Sequence, residues 1–113
     1  MLGSTVPVRN GLHNCFLYGD LWECECVQIY STLSRRWDIP QAPNHDAILK
    51  FREAYRKSSV KSVISHIPFL VNLCSKDFEL QKKSTTRLET ELIYNNAFGI
   101  LYTVLHPGSN ENK

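Results

Sequence analysis

The stretch Val60-Lys-Ser-Val-Ile-Ser-His66 is short, rich in β-branched residues and followed at once by Ile67-Pro68. These features predict a β-strand that ends at the histidine, with a turn after it. Two similar runs lie on either side of it, Cys26-Val-Gln-Ile-Tyr30 and Ile100-Leu-Tyr-Thr-Val-Leu-His106. A weaker strand is predicted at 2–6. Short strands therefore recur along the whole chain.

The segments between these strands have helical periodicity, with apolar residues spaced three and four apart. The apolar face of the first predicted helix is made by Leu12, Cys15, Phe16 and Gly19. Gly19, which has no side chain, would let this helix approach the sheet closely. The face of the second predicted helix is made by Ile48, Phe51 and Tyr55.

End signals delimit the second and third predicted helices. Asn44 is suited to be the N-cap of the second helix, which should end near Lys57. The third helix is predicted at 76–97, with Ser75 as its N-cap and Gly99 just after its end. Its helical spacing places three leucines on one side, Leu80, Leu88 and Leu92.

Alternation of strand and helix predicts an α/β fold with a parallel sheet built from βαβ units. About four parallel strands alternating with three helices make half of an eight-stranded (β/α) TIM barrel, although a small open sheet would have the same order. We treat 1–113 as one half-barrel unit that ends in a polar tail at 109–113.

Composition excludes several classes of protein. The formal net charge of +2 is too small to indicate a general nucleic-acid-binding surface, so any DNA contact must be local. No apolar stretch reaches the roughly 20 residues of a membrane helix, and the start has no signal-peptide pattern. The four cysteines lack the density of a disulfide scaffold. We therefore expect an intracellular protein, cytoplasmic or nuclear, with no membrane partner.

His66 and His106 stand at the ends of two predicted neighbouring strands. In (β/α) barrels function gathers at the carboxyl ends of strands, and neutral imidazole is the commonest metal ligand. The two side chains could therefore converge on one cation. A hydrogen-bonded structural role for each histidine is the competing interpretation.

Two loop clusters follow the carboxyl ends of predicted strands, Arg35-Arg36-Trp37 and Phe69-Leu70. Arginine reaches phosphates or the minor groove of DNA, and apolar wedges can enter a base stack and unseat a nucleotide. Ordinary packing of Trp37, Phe69 and Leu70 against the core is the alternative.

The segments His66-Ile-Pro-Phe-Leu-Val-Asn-Leu73 and Val104-Leu-His-Pro-Gly-Ser109 resemble two signature stretches in the first half of the endonuclease IV family. Further parts of the chain are similar to that family in spacing and character. They are Asn10-Gly-Leu-His-Asn14, the segment from Gln28-Ile-Tyr30 to Arg35-Arg-Trp37, the segment from Ser75-Lys-Asp-Phe-Glu-Leu80 to Lys83-Ser84, and the helix that ends at Gly99-Ile100. The resemblance covers essentially the whole chain.

This resemblance implies a (β/α) barrel with a trinuclear zinc cluster, which hydrolyses the phosphodiester 5′ to abasic sites during base excision repair of DNA. It implies that His66 and His106 are ligands of the same zinc and that the partner is double-stranded DNA with abasic sites. Arg35, Phe69 and Leu70 match the family residues that enter the minor groove and help to flip the abasic nucleotide.

The sequence departs from the family pattern in three respects. Thr5 stands where the family's first strand usually ends in a histidine, and Leu33 stands where a polar amide is usual. The chain reaches Lys113 before the segments that supply the family's bridging glutamate and further ligands. Glu111, the carboxylate that follows His106, lies in the polar tail and is a poor substitute. We therefore expect an incomplete zinc site, with no catalytic residue identifiable in this half and no activity of the chain alone.

Two other interpretations stay open from the residues. Metal-dependent sugar isomerases and epimerases of the xylose-isomerase-like barrel class also place metal ligands at strand ends, but they have no need of a DNA wedge. The chain could instead be a non-catalytic remnant or interaction module without a metal. In every case half a barrel has open sheet edges and a bare apolar face, so we expect self-association.

Overall fold

A computed structural model describes residues 2–32, 43–67 and 71–108 of the chain. The elements in these ranges alternate regularly along the chain: β1 (Gly3–Thr5), α1 (Asn14–Leu21), β2 (Cys26–Ile29), α2 (His45–Lys57), β3 (Ser62–His66), α3 (Phe78–Phe98) and β4 (Tyr102–Val104). The strands pair in parallel in the order β1-β2-β3-β4. The predicted half-barrel architecture, four parallel strands alternating with three helices, is confirmed. The predicted polar tail at 109–113 lies outside the described residues.

The core lies between the helices and one face of the sheet. Burial alternates along β2, where Val27 and Ile29 are buried and Cys26 and Gln28 are partly exposed. Aromatic rings connect the three helices in the core. The ring of Phe51 on α2 lies 5.0 Å from that of Phe16 on α1 and 5.4 Å from that of Phe98 on α3. Offset and edge contacts at these distances stabilise a core beyond the area that they bury.

The first two helices follow the sequence pattern closely. Gly19 is buried, and a Cβ at this position would lie 2.7 Å from Val60 Cγ2 and 2.9 Å from Val27 Cγ1. The predicted close approach of α1 to the sheet is therefore confirmed. In α2 the Asn44 side chain accepts a hydrogen bond from Asp46 N at 2.7 Å, as expected of an N-cap, and the helix ends at Lys57.

The third helix differs from its prediction at the start and on its buried side. Its N-cap is Asp77, which accepts hydrogen bonds from two backbone amides, whereas Ser75 accepts one from Asp77 N. The leucine side is not the buried side, since Leu92 is 47% exposed. The buried residues are mostly polar: Ser84, Arg87, Glu91, Asn95 and Phe98.

A network of buried polar side chains joins α3 to the carboxyl ends of three strands. Its centre is the ion pair of Arg87 Nη1 with Glu91 Oε2 at 2.7 Å, whose side chains are 2% and 0% exposed. Neighbouring hydroxyl and amide groups complete the network with hydrogen bonds to one another or to this pair, namely Ser31, Thr32, Ser65, Asn95 and Thr103. Every buried charge in it has partners, which is the condition for a buried pair to be tolerated.

The face of the sheet opposite the helices carries large exposed side chains. Tyr102 is 58% exposed and Val104 is 36% exposed, both on β4. β1 and β4 are edge strands in this sheet and expose backbone hydrogen-bonding groups. None of the helices in the described part of the chain is both long and apolar enough to span a membrane.

Replacing Glu91 by glutamine should destabilise the chain strongly, because the buried Arg87 guanidinium would lose its ionised partner. Breaking a buried pair from one side costs about 3–5 kcal/mol in the free energy of unfolding. Urea titration followed by circular dichroism measures this change. The matched control is Glu53→Gln in the exposed pairs with Arg56 and Lys57, which should have no measurable effect. Equal effects of the two substitutions would contradict a structural role for the buried pair.

Candidate metal centre

The register of β3 against β4 places the two predicted ligands on one face of the sheet. His66 pairs with Val104, and His106 follows Val104 by two residues. Because side chains alternate between the faces of a strand, His66, Val104 and His106 project to the same side, opposite the helices. Ile67 N continues the ladder by donating to Val104 O at 2.9 Å.

The two imidazoles meet at this end of the sheet. The Nε2 atoms of His66 and His106 lie 3.1 Å apart, with ring centroids 5.0 Å apart and ring planes at 32°. His66 is buried, only 6% exposed, whereas His106 is exposed. The pair therefore has one ring fixed inside the fold and one that faces solvent.

Hydrogen bonding of His66 determines which ring nitrogen carries its proton in the neutral form. Its Nδ1 lies 2.7 Å from the backbone oxygen of Ile67, and a carbonyl only accepts hydrogen bonds. The proton is therefore on Nδ1, and Nε2 presents its lone pair towards His106. Metal-binding histidines in proteins are typically oriented by such a bond from the other ring nitrogen.

The geometry of the pair fits two ligands of one zinc ion. Two nitrogens bound at about 2.0–2.1 Å to a tetrahedral zinc lie roughly 3.3 Å apart, close to the 3.1 Å between the two Nε2 atoms. With His106 in the Nδ1–H form both lone pairs face one space, whereas an Nε2–H on His106 would instead donate to His66. Residues 2–32, 43–67 and 71–108 contain no cluster of three or more His, Cys, Asp or Glu side chains suited to a metal. The site described thus offers two protein ligands.

Tyr30 is a neighbour of the site that the sequence analysis did not single out. Its ring centroid lies 5.1 Å from that of His66. Gln28 pairs with Ile64, so Tyr30, two residues further on, shares the face of His66. The alternation within the run that ends at Tyr30 was the available signal.

Thr5, at the position where the resemblance implies a histidine, is the last residue of β1. It pairs with Gln28, and its Oγ1 accepts a hydrogen bond from Gln28 Nε2 at 3.0 Å. In this chain the position therefore supports β1–β2 packing and presents a hydroxyl in place of an imidazole.

The predicted DNA-facing loop residues Arg35, Phe69 and Leu70 lie outside the described residues, as do Leu33, Trp37 and Glu111. Their roles stay predictions. The described residues that border them, Thr32 and Val71, lie at the same end of the sheet as His66, because they follow the carboxyl ends of β2 and β3.

The fold and the site together define a class of protein. Parallel strands in sequential order, with paired imidazoles at two neighbouring carboxyl ends, form half of a (β/α) barrel with a candidate metal centre at its mouth.

Comparison with curated proteins shows which proteins the chain resembles. The chain is similar to proteins named "Probable endonuclease 4": 29% identical over 112 residues to that of Thermoplasma acidophilum, 33% over 109 residues to that of Geobacter sp. strain M21 and 37% over 110 residues to that of Halorhodospira halophila. These matches cover 99%, 96% and 96% of this chain. They cover only 40%, 38% and 36% of the relatives. No protein-family model matches the chain.

Comparison with solved structures gives the same fold. The chain superposes on the crystal structure of endonuclease IV from Thermus thermophilus with a TM-score of 0.85 and 24% identity, over 98% of this chain and 42% of that one. The chain is therefore similar in sequence to part of these endonuclease 4 proteins, and it shares the fold of the corresponding part of the Thermus thermophilus structure.

Proposed function

We propose that this chain carries the first two zinc ligands and the DNA-contacting loops of an apurinic/apyrimidinic endonuclease that acts in base excision repair. The observation that carries the proposal is that His66 Nε2 and His106 Nε2 lie 3.1 Å apart at neighbouring strand ends. The relatives named as endonucleases favour a nuclease over the sugar isomerase alternative. No feature of the described residues supports that alternative.

His66 and His106 would each contribute one nitrogen to the metal. His66 is oriented by the carbonyl of Ile67 and stacked near Tyr30, whereas His106 brings the second nitrogen from the adjacent strand end. A bound zinc would lower the pKa of its water towards neutrality and offset negative charge that develops on the phosphate. Arg35, Phe69 and Leu70 would hold the abasic duplex against this centre.

Two imidazoles alone make a weak site, because structural and catalytic zinc sites normally use three or four protein ligands. The chain spans about 40% of the length of its curated relatives. We therefore propose that the 113-residue chain by itself binds zinc loosely and does not cleave DNA.

Zinc should bind to the purified chain with one equivalent per His66–His106 pair. His66→Ala and His106→Ala should each remove this binding, since a single imidazole cannot hold the ion. Competition with a chromophoric chelator measures the affinity. The matched controls are His13→Ala and His45→Ala, which change the remaining two histidines of the chain. Unchanged zinc binding in both site variants would overturn the proposal and leave the metal-free interaction module as the better account.

Binding to duplex DNA that contains one abasic site should depend on the loop residues. Arg35→Ala and Phe69→Ala should each weaken binding to the abasic duplex more than binding to an intact duplex. Arg35→Ala removes a phosphate or groove contact, and Phe69→Ala removes an apolar wedge. Electrophoretic mobility shift at fixed salt measures the difference. Arg56→Ala and Trp22→Ala, exposed substitutions near the amino ends of the strands, should leave binding unchanged. Equal binding of intact and abasic duplex would argue against the nuclease lineage.

We also propose that the isolated chain self-associates through the exposed face and edges of the sheet. The side chains of Tyr102 and Val104 and the edge strands β1 and β4 would be covered in the assembly. Light scattering at micromolar concentration should give a mass above that of one chain. A stable monomer across the concentration range would contradict this proposal.

A further inference from the structure

We infer that Asn72 is a positioning residue for His106: it fixes the backbone of Pro107 and Gly108 and so holds the second imidazole against the first. The inference rests on the proposed metal site, and it assigns a role to a side chain outside the ligand pair. The observations are the contact of Gly108 with Asn72, the anchoring of Asn72 to α3 and the exposure of His106.

Gly108 lies directly against Asn72. An added Cβ at Gly108 would clash with Asn72 Oδ1 and would lie 2.6 Å from Asn72 Cγ and 3.0 Å from Asn72 Cα. The φ angle of Gly108 is +96°, a region that favours glycine. The backbone after His106 therefore sits in a space that the Asn72 side chain and main chain define.

Asn72 is itself held from the opposite side. Its backbone amide donates to Ser84 Oγ at 2.8 Å, and the Ser84 side chain is fully buried on α3. Its Oδ1 accepts from Cys74 N at 3.2 Å, and Cys74 N also lies 3.2 Å from Pro107 O. A continuous set of contacts thus runs from α3 through Asn72 to the residues that follow His106.

His106 needs such support more than His66 does. The His66 ring is buried and bonded to the Ile67 carbonyl, so its own surroundings fix it. The His106 ring is exposed, and its direction follows from the backbone on either side of it. On one side that backbone is the end of β4. On the other it is Pro107, whose carbonyl accepts a hydrogen bond from Cys74 N, and Gly108, which lies against Asn72.

The experiment compares two alanine substitutions at glycines with positive φ. Gly108→Ala would press on Asn72, whereas Gly99→Ala, at φ +80°, would meet nothing within 4 Å. Both substitutions strain the backbone, so Gly99→Ala controls for strain. Gly108→Ala should weaken zinc affinity in the chelator competition by about 10–100-fold, the usual effect of losing a group that orients a ligand. Gly99→Ala should leave the affinity unchanged.

A measurement on the metal-free chain separates this inference from the proposed function. In the wild-type chain, NMR should detect a nuclear Overhauser effect between the Hε1 protons of His66 and His106, because the two Nε2 atoms lie 3.1 Å apart. Gly108→Ala and Asn72→Ala should each lose it while the β-sheet amide signals persist. An effect that survives both substitutions overturns the positioning role, whatever the zinc result is.

Asn72→Ala also keeps the test decisive if Gly108→Ala does not fold. Combining the two substitutions provides a further check, because residues in contact give non-additive effects. The double variant should bind zinc no more weakly than Asn72→Ala alone if Gly108→Ala acts through Asn72. If the losses of zinc affinity in the two single variants multiply in the double variant, Gly108→Ala does not act through Asn72. Loss of zinc in His66→Ala with no loss in Gly108→Ala would retain the metal site and reject the inference.

Discussion

The parallel pairing of β3 with β4 is the constraint on which the candidate site depends. His66 stands opposite Val104, and Ile67 N extends the ladder to Val104 O at 2.9 Å. A shift of the pairing by one residue would send His106 to the helix-covered face, because side chains alternate along a strand. The 3.1 Å approach of the two imidazoles is therefore a direct consequence of backbone register.

The same strand ends are fixed from the other side of the sheet by α3. Ser65, directly before His66, hydrogen-bonds to Ser31, which in turn donates to Glu91 of the buried ion pair. The helix-facing side thus carries a polar network where an apolar layer would be usual, and the opposite side carries the imidazoles. A buried network that is fully satisfied favours one arrangement of helix and strands over alternatives. Such rigidity is what a site built from two separate strands requires.

The sequence allowed most of the fold to be predicted. Strands rich in β-branched residues, the Asn44 cap and the Gly19 contact each depend on local chemistry, and each is confirmed by the structure. The expectation that the side chains of His66 and His106 lie close together followed from the rule that parallel strands end at one edge of the sheet. Their closeness is confirmed, whereas their role as ligands and the roles of Arg35, Phe69 and Leu70 stay predictions.

The buried side of α3 could not be predicted from periodicity. The leucine spacing indicates an apolar stripe, but Arg87 and Glu91 bond to hydroxyl groups of Thr32 and Ser31, which follow β2 and are far away in sequence. Burial of charged residues becomes favourable only when those partners are present, and a single helix does not reveal them. For Tyr30 the alternation of its run indicated the face on which it lies, but its contact with His66 is set by the pairing between strands, which the run alone does not reveal.

X-ray absorption spectroscopy at the zinc edge of the zinc-loaded chain tests most directly whether the two imidazoles share one cation. We expect a first shell that contains two imidazole nitrogens at about 2.0–2.1 Å, with oxygen completing the coordination. The outer-shell scattering of both rings should disappear together in a variant that lacks His66 and His106. A shell with one imidazole or none would show that the convergence of the two rings does not create a metal site.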